Sequence, residues 1–128
     1  RWYPETLARR IRGIYAMRDR ITFIESDGLE IMRQNAARTD VVYFIDPPYT
    51  APGKRAGKRL YAFNEIDHEG LFDLASTVSG DFMMTYDNAE SVRQMAGQRN
   101  FAVHEVPMKN TKQTKMTELL IGPAKHVL

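Results

Sequence analysis

The chain has 128 residues, with 18 Lys and Arg against 16 Asp and Glu, for a formal net charge of +2. Hydrophobic residues make up 43% and charged residues 27%, ordinary globular usage that disfavours collagen, coiled coil and extended disorder. The length supports one hydrophobic core rather than two, so residues 1–128 are expected to form a single domain. The absence of Cys removes disulfides, thiolate metal sites and covalent cysteine chemistry, and fits a reducing cytoplasm. No apolar run approaches the roughly 18 residues of a membrane span, and no charged start leads into an apolar stretch as in a signal peptide.

Along the chain, Pro4 followed by Glu5 opens a helix. Leu7, Ile11, Ile14 and Tyr15 then fall at helical spacing, predicting an amphipathic helix over 4–18. Ile21 to Ile24 reads as a short strand ended by Ser26, Asp27 and Gly28, and Leu29 to about Ala36 as a second helix. Val41 to Ile45 is five consecutive apolar residues, the pattern of a strand buried on both faces of a parallel sheet. Asp46-Pro47-Pro48 stops it, because prolines cannot donate to a ladder. A long basic loop follows to about Ile66. Asp67 is placed to cap a helix running to Val78, and Asn88 one running to Gln98. Between them lies the strand Phe82–Tyr86, and Phe101–Val106 and Met116–Ile121 close the chain. The order α β α β α β α β β predicts an α/β fold, a mostly parallel sheet ending in an antiparallel hairpin. Met83, Met84, Met95 and Met116 are expected in the core. His104 and His126 show no ligand spacing, so no metal site is expected.

In open α/β sheets ligands bind at the carboxyl ends of the strands, and Asp46-Pro47-Pro48-Tyr49 sits at that end of the most hydrophobic one. Asp46 is a carboxylate acceptor. The prolines stiffen the turn and withhold backbone donors, leaving carbonyls to accept. Tyr49 offers a flat face. Acceptors beside a stacking ring suit a planar group bearing an exocyclic amine, such as a nucleobase taken out of a duplex. Two basic stretches, Lys54, Arg55, Lys58 and Arg59 just after this box, and Lys109, Lys112 and Lys115 between the last two strands, are candidate phosphate contacts.

Phe44-Ile-Asp-Pro-Pro-Tyr49 after an apolar strand resembles motif IV of the DNA amino-methyltransferases, and the wider context resembles their Dam-type (D12-class) adenine enzymes. Segments that fit in order are Trp2–Leu7, Ile21–Ile24 followed by Asp27, the box itself, Asp67-His68, Phe82–Tyr86 and Thr117–Ile121, nearly the whole chain. The resemblance implies a partial Rossmann-like methyltransferase fold and methyl transfer from S-adenosylmethionine to adenine N6 of double-stranded DNA, in a bacterial or phage-infected cell, often beside a restriction enzyme. It implies that Asp46 and the Pro47 carbonyl accept the two amine hydrogens in the Pro47-Pro48 turn, that Tyr49 stacks on the flipped base, and that Asp27 lies with Asp46 near the cofactor. Transfer would be direct, with no covalent enzyme intermediate.

The sequence also departs from that pattern. The family's Gly-rich cofactor turn is absent, since none of the eight glycines forms a Gly-x-Gly pair. The expectation is therefore a C-terminal portion, the target-base half of a methyltransferase. Its sheet would be completed by an N-terminal half or a second chain, since a half sheet exposes an edge. Cytosine-N4 methylation, which the same acceptors suit, and a catalytically incomplete DNA-binding or assembly fragment stay open as alternatives.

Overall fold

A computed structural model describes residues 3–48, 66–109 and 115–124. Among the described residues, four helices, α1 (Pro4–Ala16), α2 (Gly28–Asn35), α3 (His68–Thr77) and α4 (Glu90–Gln98), accompany four strands, β1 (Val42–Ile45), β2 (Asp81–Asp87), β3 (Ala102–Lys109) and β4 (Lys115–Gly122). A 3-10 turn, Arg18–Arg20, follows α1.

Local chemistry explains where these elements start and stop. Pro4 occupies the first turn of α1, where its missing N–H costs nothing. The carboxylates of Asp27 and Asp67 cap α2 and α3, accepting from the amides of Leu29 and Gly70, both at 2.9 Å. Ala89, not Asn88, is the cap residue of α4; the Asn88 side-chain oxygen is drawn away to accept from Arg93 Nε at 3.0 Å. At the other end of α4, Asn100 adopts φ 59°, a left-handed conformation that Asn tolerates. Phe101 N–H then reaches the Ala96 carbonyl and Asn100 N–H that of Gly97, the paired bonds of a Schellman stop. Gly80, which leads into β2, has no room for a side chain, as a Cβ there would lie 2.1 Å from the Val41 carbonyl oxygen.

The strand order is β1-β2-β4-β3. The β1–β2 pair is parallel, while β2–β4 and β3–β4 are antiparallel. The closing hairpin is present, but the expectation of a mostly parallel sheet is corrected to a mixed one. The reason is that β4 returns from the hairpin and inserts between β2 and β3, so two of the three pairings run antiparallel. A second correction concerns residues 21–24, which form no strand. Ile21 is extended, but this stretch joins no ladder, and Phe23 is 87% exposed. Its β-branched and aromatic composition has no partner strand to act on.

The core lies on one face of the sheet. Tyr43, Phe82, Met84, Tyr86, Leu119 and Ile121 pack there against Met32 of α2, Leu71, Phe72 and Ala75 of α3, and Val92, Met95 and Ala96 of α4. Ring contacts thread it, Phe72 meeting Tyr86 at 5.3 Å and Phe101 meeting Phe82 at 4.9 Å between centroids. Strand alternation sends the intervening residues to the opposite face, where Val42 is 77% and Phe44 70% exposed. Thus β1, read as buried on both faces, is covered on one. Of the four methionines expected in the core, Met84 and Met95 are there; Met83 is half-buried and Met116 exposed.

Two ionic ties close the helical layer. Arg99, at the end of α4, reaches Glu69 and Asp73 of α3, both at 2.6 Å, and donates to the Met95 carbonyl at 3.0 Å. Arg93 pairs with Glu105 of β3. No helix among the described residues is long and apolar enough to cross a membrane.

Candidate functional site

Asp46 is the first residue past β1. The ladder pairs Phe44 with Met83 and Ile45 with Met84, so one further step sets Asp46 opposite Thr85. The side chains meet: the Thr85 hydroxyl donates to Asp46 Oδ1 at 2.6 Å. Asp46 is otherwise exposed, and its second carboxylate oxygen is left to accept from a ligand. Pro47 and Pro48 follow, half-buried, and offer no backbone N–H, so this turn presents acceptors only.

The turn lines a groove of about 490 Å³, within the range of small-molecule sites. Its lining takes Tyr43 and Ile45 from one face of β1 and Phe44 and Asp46 from the other, so the groove follows the free edge of the strand. Thr22, Ile24 and the Ser26–Leu29 segment also line it, together with Met32, Ile66 and Leu71. The walls are largely apolar and carry two carboxylates, Asp27 and Asp46, with no Lys or Arg among the described lining residues. The Tyr43 hydroxyl is buried without a hydrogen-bond partner.

The structure therefore brings Asp27, Asp46, Pro47 and Pro48 to one groove. One Asp27 oxygen is engaged in capping α2. Tyr49, Lys54, Arg55, Lys58, Arg59 and Lys112 lie outside the described residues, as does the side chain of Lys115. Among the described residues no three His, Asp or Glu side chains gather as metal ligands.

His68 opens α3. Its Nδ1 lies 3.0 Å from the hydroxyl of Tyr86. Burial lowers the imidazole pKa from its ordinary value, against the pull of the Asp87 and Asp67 carboxylates. Burial also raises the Tyr86 pKa, keeping the phenol protonated. This pair ties the start of α3 to the end of β2, next to Thr85.

Sequence reasoning missed Thr85. The only available signal is a hydroxyl interrupting the apolar run Phe82–Tyr86 near its carboxyl end. That it meets Asp46 follows from the β1–β2 register, which is a long-range property.

S-adenosylmethionine requires a slot for its purine, acceptors for its ribose hydroxyls and donors or a cation for its amino-acid carboxylate. The groove supplies apolar walls and carboxylates for the first two. No cationic side chain described here faces it, and no Gly-x-Gly turn exists to bring backbone amides to the third. These residues do not make a complete site for that cofactor.

No protein-family model matches the chain, and no curated protein matches it.

Proposed function

We propose that this chain is the target-base half of a DNA amino-methyltransferase, the enzyme class that moves a methyl group from S-adenosylmethionine to adenine N6. The observation that carries the reading is the Asp46-Pro47-Pro48 turn at the carboxyl end of parallel strand β1. One Asp46 oxygen is tied to Thr85 and the other is left for a ligand, in the lining of a largely apolar groove. A turn that presents acceptors and no donors selects a ligand with N–H groups. Apolar walls select a flat one, and an amine-bearing base has both properties. A partial Rossmann-like arrangement agrees with the parallel β1–β2 pair and with a site at its carboxyl end. The basic residues that would contact DNA phosphates, Lys54, Arg55, Lys58, Arg59, Lys112 and Lys115, belong to the same proposal.

In this role Asp46 accepts a hydrogen from the exocyclic amine and holds the nitrogen in place, while the groove walls exclude water from the flat faces of the base. Because the described residues do not by themselves complete a cofactor site, the property to test is selection of the amine. Titration by NMR with 2′-deoxyadenosine and with purine 2′-deoxyriboside, which lacks the 6-amino group, should show tighter binding of the first. Asp46→Ala should abolish that preference while leaving the fold intact. A stronger response to 2′-deoxycytidine than to 2′-deoxyadenosine would favour cytosine N4 as the target. Equal binding of both purines by the wild-type chain would refute the reading.

A further inference from the structure

We infer that Thr85 is the positioning residue of the site, fixing the plane of the Asp46 carboxylate so that one oxygen faces the amine. The inference rests on the reading of Asp46 as the amine acceptor.

Asp46 lies one residue beyond the last ladder position of β1, is exposed, and is followed by two residues with no N–H to donate to it. Among the described residues of that turn, none donates a hydrogen bond to its carboxyl group. Thr85 lies on β2, a strand flanked by β1 on one side and β4 on the other, where it pairs with Leu120. Its backbone is held by that pairing and by the neighbouring Ile45–Met84 pair that ends the β1–β2 ladder, and its β-branched side chain is stiff at χ1. The hydroxyl donates to Oδ1 at 2.6 Å across 39 positions of sequence. A hydroxyl anchors the carboxylate without adding a charge that would compete with the amine. With Oδ1 occupied, Oδ2 is the oxygen that faces a ligand, and the entropy of choosing between the two is spent before binding. Tyr86, the next residue, is fully buried and bonded to His68, which anchors the end of β2 that carries the donor.

The test compares wild type with Thr85→Val, which keeps the branched shape and removes the donor, and Thr85→Ser, which keeps the donor. Thr85→Ala is a second donor-free variant should the valine fail to fold. Two readings are taken on the full chain. The first is the Asp46 side-chain carboxyl ¹³C resonance without ligand. It should move in Thr85→Val and return toward wild type in Thr85→Ser. The second is the preference for 2′-deoxyadenosine over purine 2′-deoxyriboside. The loss of one orienting hydrogen bond should reduce it by about two- to tenfold in Thr85→Val, with rescue in Thr85→Ser and no change in purine 2′-deoxyriboside binding. An unmoved carboxyl resonance overturns the inference, whatever the nucleosides do. A moved resonance with an unchanged preference also overturns it, because the bond would then exist without positioning anything. A wild-type chain with no preference overturns the reading of Asp46, and the role of Thr85 with it.

Discussion

Two parts of this molecule use similar residues to opposite effect. From Gly28 onward, the helices and sheet bury a continuous cluster in which Phe72, Met84, Tyr86, Leu119 and Ile121 are inaccessible to solvent. From Tyr3 to Asp27, α1 and the segment after it bury nothing. Ile11, Ile14, Tyr15, Ile21, Phe23 and Ile24 are all exposed, although α1 has a regular apolar stripe. An apolar periodicity states which face of a helix prefers to be covered; it does not state that anything in the chain covers it. The same lesson holds for β1, whose Tyr43 is buried while Val42 and Phe44 are not.

The sharpest break of this contrast is Phe72→Ala. Removing a fully buried ring that touches Tyr86 and Phe101 should cost about 3–5 kcal/mol, read as a lower urea midpoint; a loss under ~1 kcal/mol would mean the core is not packed as described. Next is Arg99→Ala, which unties α3 from α4. Glu69 and Asp73 are exposed and remain solvated, so the cost should be a modest ~1–2 kcal/mol, and the wild-type advantage should shrink in high salt.

A smaller effect belongs to His68. Its pKa is lowered in the folded chain by burial, so between that value and the unfolded value near 6.5 the unfolded state binds more protons. Stability should be full above about pH 6.5 and fall as the pH drops below it. His68→Gln should flatten that part of the thermal-midpoint profile, and an unchanged profile would show that His68 is not the group responsible. The smallest effects should come from the N-terminal arm. Ile11→Ser and Phe23→Ser should each lie within ~0.5 kcal/mol of wild type. Losses near those of the core variant would mean that the arm is packed after all.

What the sequence revealed was local. Pro4 opens α1, Asp27 and Asp67 cap the next two helices, and Asp46-Pro47-Pro48 ends a strand at its carboxyl end. Each depends on a residue and its immediate neighbours. The Asp67 cap is legible from its position ahead of an apolar helix, whereas Asp27 in the sequence marks only a turn. The misread parts depend on distant segments. Residues 21–24 have strand composition but no partner. The insertion of β4 between β2 and β3, which makes the sheet mixed, depends on pairings such as Met84 with Ile121 that no local pattern encodes. Asn88, expected to cap α4, instead accepts from Arg93 inside that helix, and the cap position falls to Ala89. Thr85 was invisible for the same reason, since its meaning comes from a residue 39 positions away.

The contrast between packed body and bare arm has a counterpart at the groove, where the Asp46 turn that we propose accepts the amine is in place, while the described lining residues supply no cation for a cofactor carboxylate. Calorimetric titration of the chain with S-adenosylmethionine, with the molecular mass determined on the same sample, tests that claim most directly. The account predicts a folded chain of 14.7 kDa with no saturable, stoichiometric binding. Stoichiometric binding by the monomer would show that the groove along β1 is a complete cofactor site, and would contradict the account.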